Sequence, residues 1–259
     1  MANERASLDR LMSVIDSLLG PNGCPWDKVQ TPETLCDYVI EEAFELVDCI
    51  RSGDAQGAME ELGDVMFLLL FIARLYQDKG TFGLKDSLEA EAAKMIRRHP
   101  HVFDNLEVAD KEELLRNWER IKRSEGDGDS GVFDSLPKGL PPLLKAYRIH
   151  SKAARTGFTW ESDADMLGAL RREWRELETA VAVGEKPAME LEFGDYLFTL
   201  AEYGRRLGLK ANACLDLANK KFLRRFNRME EAITQQNLDL STLSMEEWNR
   251  LWDEAKAAE

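Results

Sequence analysis

Glu60-Glu61-Leu62-Gly63-Asp64-Val65-Met66-Phe67-Leu68-Leu69-Leu70 decides how this chain folds. From Val65 to Ala73 it is apolar nearly all round, which marks a helix to be buried rather than one with a single apolar stripe. Glu61 and Asp64, three residues apart, share a face at its head. Carboxylates beside such a run are costly unless a cation compensates them. The pattern then recurs as Glu190-Leu191-Glu192-Phe193-Gly194-Asp195-Tyr196-Leu197-Phe198.

The duplication extends upstream. Glu42 and Glu45 form an i,i+3 pair on the preceding helix, and adding 131 to Glu42, Glu45, Glu61 and Asp64 gives Glu173, Glu176, Glu192 and Asp195 without slip. Two acids on one helical face repel each other. Across an antiparallel crossing, two such pairs bring four charges together, and they must gain protons or a hard cation. Oxygen-only ligation favours Mg²⁺ or Mn²⁺ over zinc. A ferritin-like di-iron site needs Glu-x-x-His twice, and none of His99, His101 and His150 follows a glutamate by three.

Outward from this core the signals are helical. The chain has 259 residues, and a repeat of about half that length predicts two domains. Helices are expected at 4–19, from Thr31-Pro32 to Arg51, at 55–78, 86–98 and 111–123, and then at 143–155, 165–183, 187–207, 212–236 and 245–256. Thr31 reads as an N-cap with Pro32 at the first helical position. His99-Pro100-His101 reads as a helix stop, and Trp248 and Trp252 as a docked pair. No strand-like alternation of useful length occurs. The expected fold is all-α, a tandem repeat of two helical-bundle domains over 1–123 and 143–259. A Gly/Asp- and then Pro-rich linker fills 124–142. The four-helix-type cores are expected to be completed by dimerisation, because the apolar helices exceed what one helical layer covers.

Composition narrows the partners. A formal charge of −14 argues against wrapping nucleic acid, though a local basic patch suits a small polyphosphate. No apolar run reaches eighteen residues and no signal-peptide core opens the chain, so no membrane association and a cytoplasmic location are expected. Cys24, Cys36, Cys49 and Cys214 form no metal or disulfide lattice and read as small buried hydrophobes in a reducing compartment. Lys94, Arg97 and Arg98 line the fourth helix of the first half; Lys221, Arg224 and Arg225 match them in the second, offset by 127, with Lys220 and Arg228 extending the ladder. With a cation, such bases suit a di- or triphosphate. There is no P-loop, kinase motif set or histidine placed to activate a nucleophile.

Glu41-Glu42-Ala43-Phe44-Glu45 followed by Glu61-Leu62-Gly63-Asp64, with Gly23-Cys24-Pro25-Trp26-Asp27 and Arg97-Arg98-His99-Pro100-His101-Val102-Phe103, resembles the MazG family of all-α nucleoside triphosphate pyrophosphohydrolases in its two-domain bacterial form. The resemblance implies a Mg²⁺-dependent homodimer that splits nucleoside triphosphates into monophosphate and pyrophosphate and cleans the nucleotide pool. A narrower enzyme for dUTP- or dCTP-like substrates and a non-catalytic helical scaffold or nucleotide sensor are the rival readings. The resemblance further implies that Glu42, Glu45, Glu61 and Asp64 are metal ligands, that Glu41 positions a second metal or the attacking water, and that Lys94, Arg97 and Arg98 face the phosphates. In the second half Arg172 replaces the Glu41 counterpart, and Lys220 stands where two-domain relatives carry an acid. The first half is therefore expected to be the better catalyst.

Overall fold

The computed structural model describes residues 2–104, 106, 108, 110–125, 131–236 and 238–258. Among them are eleven α-helices, two 3-10 turns and no strand. The chain divides into two compact units, Met1–Val108 and Ala109–Glu259.

The first unit contains α1 (Ala2–Leu19), a 3-10 turn (Asp27–Val29), α2 (Cys36–Ser52), α3 (Ala55–Asp78), α4 (Leu84–Arg98) and the one-turn α5 (Pro100–Phe103). Helices α2 and α3 form its longest packed pair. Gly53, at φ +77°, ends α2 in the left-handed conformation that glycine adopts without penalty, and the Asp54 carboxylate opens α3 by accepting from the Gly57 amide at 2.9 Å. Ile15, Leu35, Leu68, Leu70 and Phe71 make the core, with Leu8, Leu11, Val39 and Leu75 around them. Arg74 ties α3 to α1 through Asp16 at 2.7 Å.

Three expectations are corrected here. The apolar run is only half covered: Leu68, Leu70, Phe71 and Ala73 are buried, but Met66 and Leu69 are 43% and 52% exposed. The packing of α1, α2 and α4 on α3 leaves that outer face open within the first unit. Second, α2 begins at Cys36 rather than at Thr31-Pro32. Thr31 and Thr34 instead exchange amide-to-hydroxyl hydrogen bonds of 2.9 and 3.3 Å, closing a separate turn before the helix. Third, the cysteines are free but not core residues; Cys36 and Cys214 are exposed, Cys24 and Cys49 half-buried.

The second unit contains α6 (Lys111–Ser124), α7 (Pro142–Arg155), α8 (Asp163–Val183), α9 (Lys186–Arg206), α10 (Ala211–Gln235), a 3-10 turn (Leu240–Thr242) and α11 (Met245–Ala257). Helix α6 packs with α7, so the segment read as closing the first domain groups with the second unit. Residues 126–130 of the expected linker lie outside the described residues. After them, the buried Lys152 ammonium holds the 131–136 segment on α7 through the Val132 carbonyl (3.1 Å) and the Ser135 hydroxyl (2.9 Å). Helices α8 and α9 repeat the α2–α3 hairpin. Gly184, the counterpart of Gly53, again ends the first helix at positive φ, +83°. Helix α11 starts at a capping box between Ser244 and Glu247 and docks on α10 around Met229, Ile233, Leu251 and Ala255. Trp248 and Trp252 pack against that cluster as half-buried residues.

Candidate functional site

The α2–α3 hairpin places carboxylate oxygens of Glu42, Glu45 and Glu61 within 4.8 Å of one another. Burial chiefly, then the charges of Asp64, Glu45 and Glu61, push the Glu42 carboxyl above its ordinary range, and its side chain reaches hydrogen-bonding range of Glu61. Asp64 thus lies outside the tight trio but within reach of its field. Exposed Glu41 precedes Glu42 on α2. The α8–α9 hairpin builds the same trio from Glu173, Glu176 and Glu192, again within 4.8 Å. Glu173 is raised by burial first, then by Glu176 and Asp195; Arg172 pulls it back, and Glu192 adds a smaller push.

These donors fit a divalent ion. Oxygens on opposite sides of an octahedral Mg²⁺ lie about 4.2 Å apart and neighbouring ones about 3 Å, so each trio would have to draw in around an ion to become a face of such a shell. The all-oxygen chemistry suits Mg²⁺ or Mn²⁺, and a cation offsets both the burial and the mutual repulsion that raise Glu42 and Glu173.

The basic residues are arranged differently. Lys94 on α4 pairs with Glu91 of its own helix; Arg97 is exposed and Arg98 half-buried near the same end. His99 ends α4, with its Nδ1 2.6 Å from the Met95 carbonyl, and the expected stop is followed at once by the one-turn α5. On α10, Lys221 and Arg224 are exposed, Lys220 pairs with Asp216 at 3.5 Å, and Arg225 lies over the Trp252 ring at 5.4 Å. An apolar cavity of about 430 Å³, lined by Leu143, Leu197, Leu200 and Cys214 among others, contains no carboxylate and is separate from the acids.

Sequence reading missed a network in the second unit, the buried Glu202 and His150 with the half-buried Arg205. Its available signal was the 131-residue offset, which sets Glu202 opposite the core residue Phe71.

The family model for the MazG nucleotide pyrophosphohydrolase domain matches residues 30–103. A nucleoside triphosphate pyrophosphohydrolase of Escherichia coli K12 is 35% identical over 257 residues, which cover 97% of this chain and 98% of that protein. The chain belongs to the MazG family. A Thermotoga maritima protein named nucleoside triphosphate pyrophosphohydrolase/pyrophosphatase MazG is 34% identical, over 97% of this chain and 96% of its own. The uncharacterized YabN of Bacillus subtilis is 40% identical over 95% of this chain and 51% of its own. The MazG match takes in Glu41, Glu42, Glu45, Glu61, Asp64, Lys94, Arg97 and Arg98.

Proposed function

We propose that this MazG protein hydrolyses nucleoside triphosphates between the α and β phosphates, releasing nucleoside monophosphate and pyrophosphate. The observation that carries the reading is the carboxylate trio on each helical hairpin, in a chain alike over nearly its whole length to proteins named for that reaction. Glu42, Glu45, Glu61 and Asp64 would hold Mg²⁺, or Mn²⁺ in its place, and Glu173, Glu176, Glu192 and Asp195 would form the second such set. Bound there, the metal supplies Lewis-acid polarisation of the phosphoryl oxygens.

The chain's own residues do the rest. Glu41 orients a water and takes its proton while the water oxygen bonds to the α phosphorus. The bond from that phosphorus to the bridging oxygen then breaks, and pyrophosphate departs. Lys94, Arg97 and Arg98 hold the departing pyrophosphate in the first half, and Lys221, Arg224 and Arg225 are their counterparts in the second. Lys94 must leave Glu91 to do so, a change of partner that its half-buried but flexible four-carbon stem permits. A homodimer and a cytoplasmic location, among the nucleotides it would clear, belong to the same reading.

Glu61→Ala and Asp64→Ala, each made in the full chain with Glu192→Ala to silence the second cluster, should lower pyrophosphate release at least about a hundredfold while helicity is kept. A panel of ribo- and deoxyribonucleoside triphosphates, read by pyrophosphate release, tells a broad enzyme from one confined to dUTP or dCTP. Undiminished turnover in both multiple variants would remove the acids from the mechanism.

A further inference from the structure

The two carboxylate trios have the same shape in different surroundings. In the 131-residue register, α2 carries Ile40, Glu41 and Phe44 where α8 carries Arg171, Arg172 and Arg175, and all six are exposed. Beside the first trio, Asp64 adds further negative charge, and the exposed Glu41 adjoins Glu42 on α2. Around the second, only Asp195 matches; Arg172, adjacent in sequence to the ligand candidate Glu173, replaces an anion by a cation. Arg172 and Glu173 are consecutive on α8, as Glu41 and Glu42 are on α2, so in each pair the two Cα atoms are about 3.8 Å apart. On α9, Leu191 stands in register with Glu60 of α3 but Glu190 stands in register with Met59, so the acids beside Glu192 are as many as those beside Glu61 and the difference lies on α8.

Affinity of an oxygen cage for a divalent ion rises with the number of negative charges around it. A guanidinium near the cage both repels the ion and competes for the carboxylates. Matching trios in unequal fields must therefore differ in affinity even though their donor sets are alike.

We propose that the two clusters are unequal metal sites, the first taking the divalent ion tightly and the second weakly, with Arg172 as the residue that sets the difference. This rests on the reading of both trios as metal centres. At sub-saturating metal the first site fills before the second, so the two hairpins answer different ranges of free cation concentration.

The test is Mn²⁺ binding by the full chain without nucleotide, followed by the electron paramagnetic resonance signal of free Mn²⁺. Circular dichroism checks the fold of every variant. Two classes of site are expected. Glu42→Gln should remove the tight class and Glu173→Gln the weak one. Arg172→Glu should tighten the weak class about tenfold, Arg172→Gln should do so by less, and Glu41→Arg should weaken the tight class about tenfold, as the change of two unit charges beside the ion predicts. Equal affinities unmoved by the Arg172 and Glu41 substitutions would overturn the inequality while leaving both clusters as metal sites. So would a tight class lost on Glu173→Gln. If wild type holds no more Mn²⁺ than a Glu42→Gln/Glu173→Gln double variant, the metal reading itself falls, and the proposal with it.

Discussion

Glu202 occupies the position that the repeat assigns to Phe71, and both side chains are 1% exposed. A carboxylate so deep must be paired, and Glu202 accepts from Arg205 Nε and Nη2 at 2.6 and 2.8 Å, with His150 Nδ1 3.7 Å away. The Phe198 carbonyl lies 3.0 Å from the other imidazole nitrogen. Burial pulls the His150 pKa below its ordinary 6.5 and Arg205 adds to the fall, while Glu202 and the Phe198 carbonyl oppose it. Below pH 6.5 the unfolded chain takes up a proton that the folded chain refuses, so this stability is complete above 6.5 and drains away as pH falls towards the lowered value. Between pH 7.5 and 5.5 the wild-type melting temperature should fall more steeply than that of His150→Asn, which removes this titration; parallel curves would contradict the assignment. Nothing local in the sequence separates Glu202 from a solvated helical glutamate, because its burial is imposed by α7 packing on α9.

Two residues of unlike weight govern the helix ends of the first unit. Asp54 caps α3 with one side-chain hydrogen bond, and Asp54→Ala should cost about 1 kcal/mol, the usual value of an N-cap. Gly23 closes the loop that ends α1, where the Cys24 amide donates to the Leu18 carbonyl at 2.9 Å. A Cβ on residue 23 would sit 2.0 Å from that carbonyl oxygen, which is backbone and cannot swing aside. Gly23→Ala should therefore cost more than Asp54→Ala, about 2 kcal/mol or above, when the two are compared by urea denaturation. Helix positions were legible from residues within a turn of one another: α3 spans the expected 55–78, and α7 to α11 fall within two residues of expectation at either end. The start of α2 was not, because Thr31 and Pro32 are good helix openers yet the chain spends them on a separate turn.

Each unit leaves apolar surface uncovered. In the first, Leu62, Met66 and Leu69 form one stripe of α3 at 50, 43 and 52% exposure, and Ile40 and Phe44 of α2 are 55 and 56% exposed. Such surface on a helical hairpin is suited to a second copy of the chain rather than to water. Light scattering should give twice the 29.5 kDa of one chain, and Leu69→Glu, a charge set in the middle of the stripe, should shift the mass towards one. A wild-type mass of a single chain would leave the stripe without that role.

By itself the sequence determined where nearly every helix runs, that the chain is doubled, and which acids share a helical face. All of these follow from repeats and from contacts within about four residues along a helix. Only the tertiary structure decided that Glu42, Glu45 and Glu61 meet within 4.8 Å, that Glu202 rather than another apolar residue fills its place in the core, and that Met66 and Leu69 of the apolar run stay exposed. Those facts depend on how helices far apart in sequence pack side by side, and the angle and rotation of that packing come from the sum of many weak side-chain contacts rather than from any local pattern.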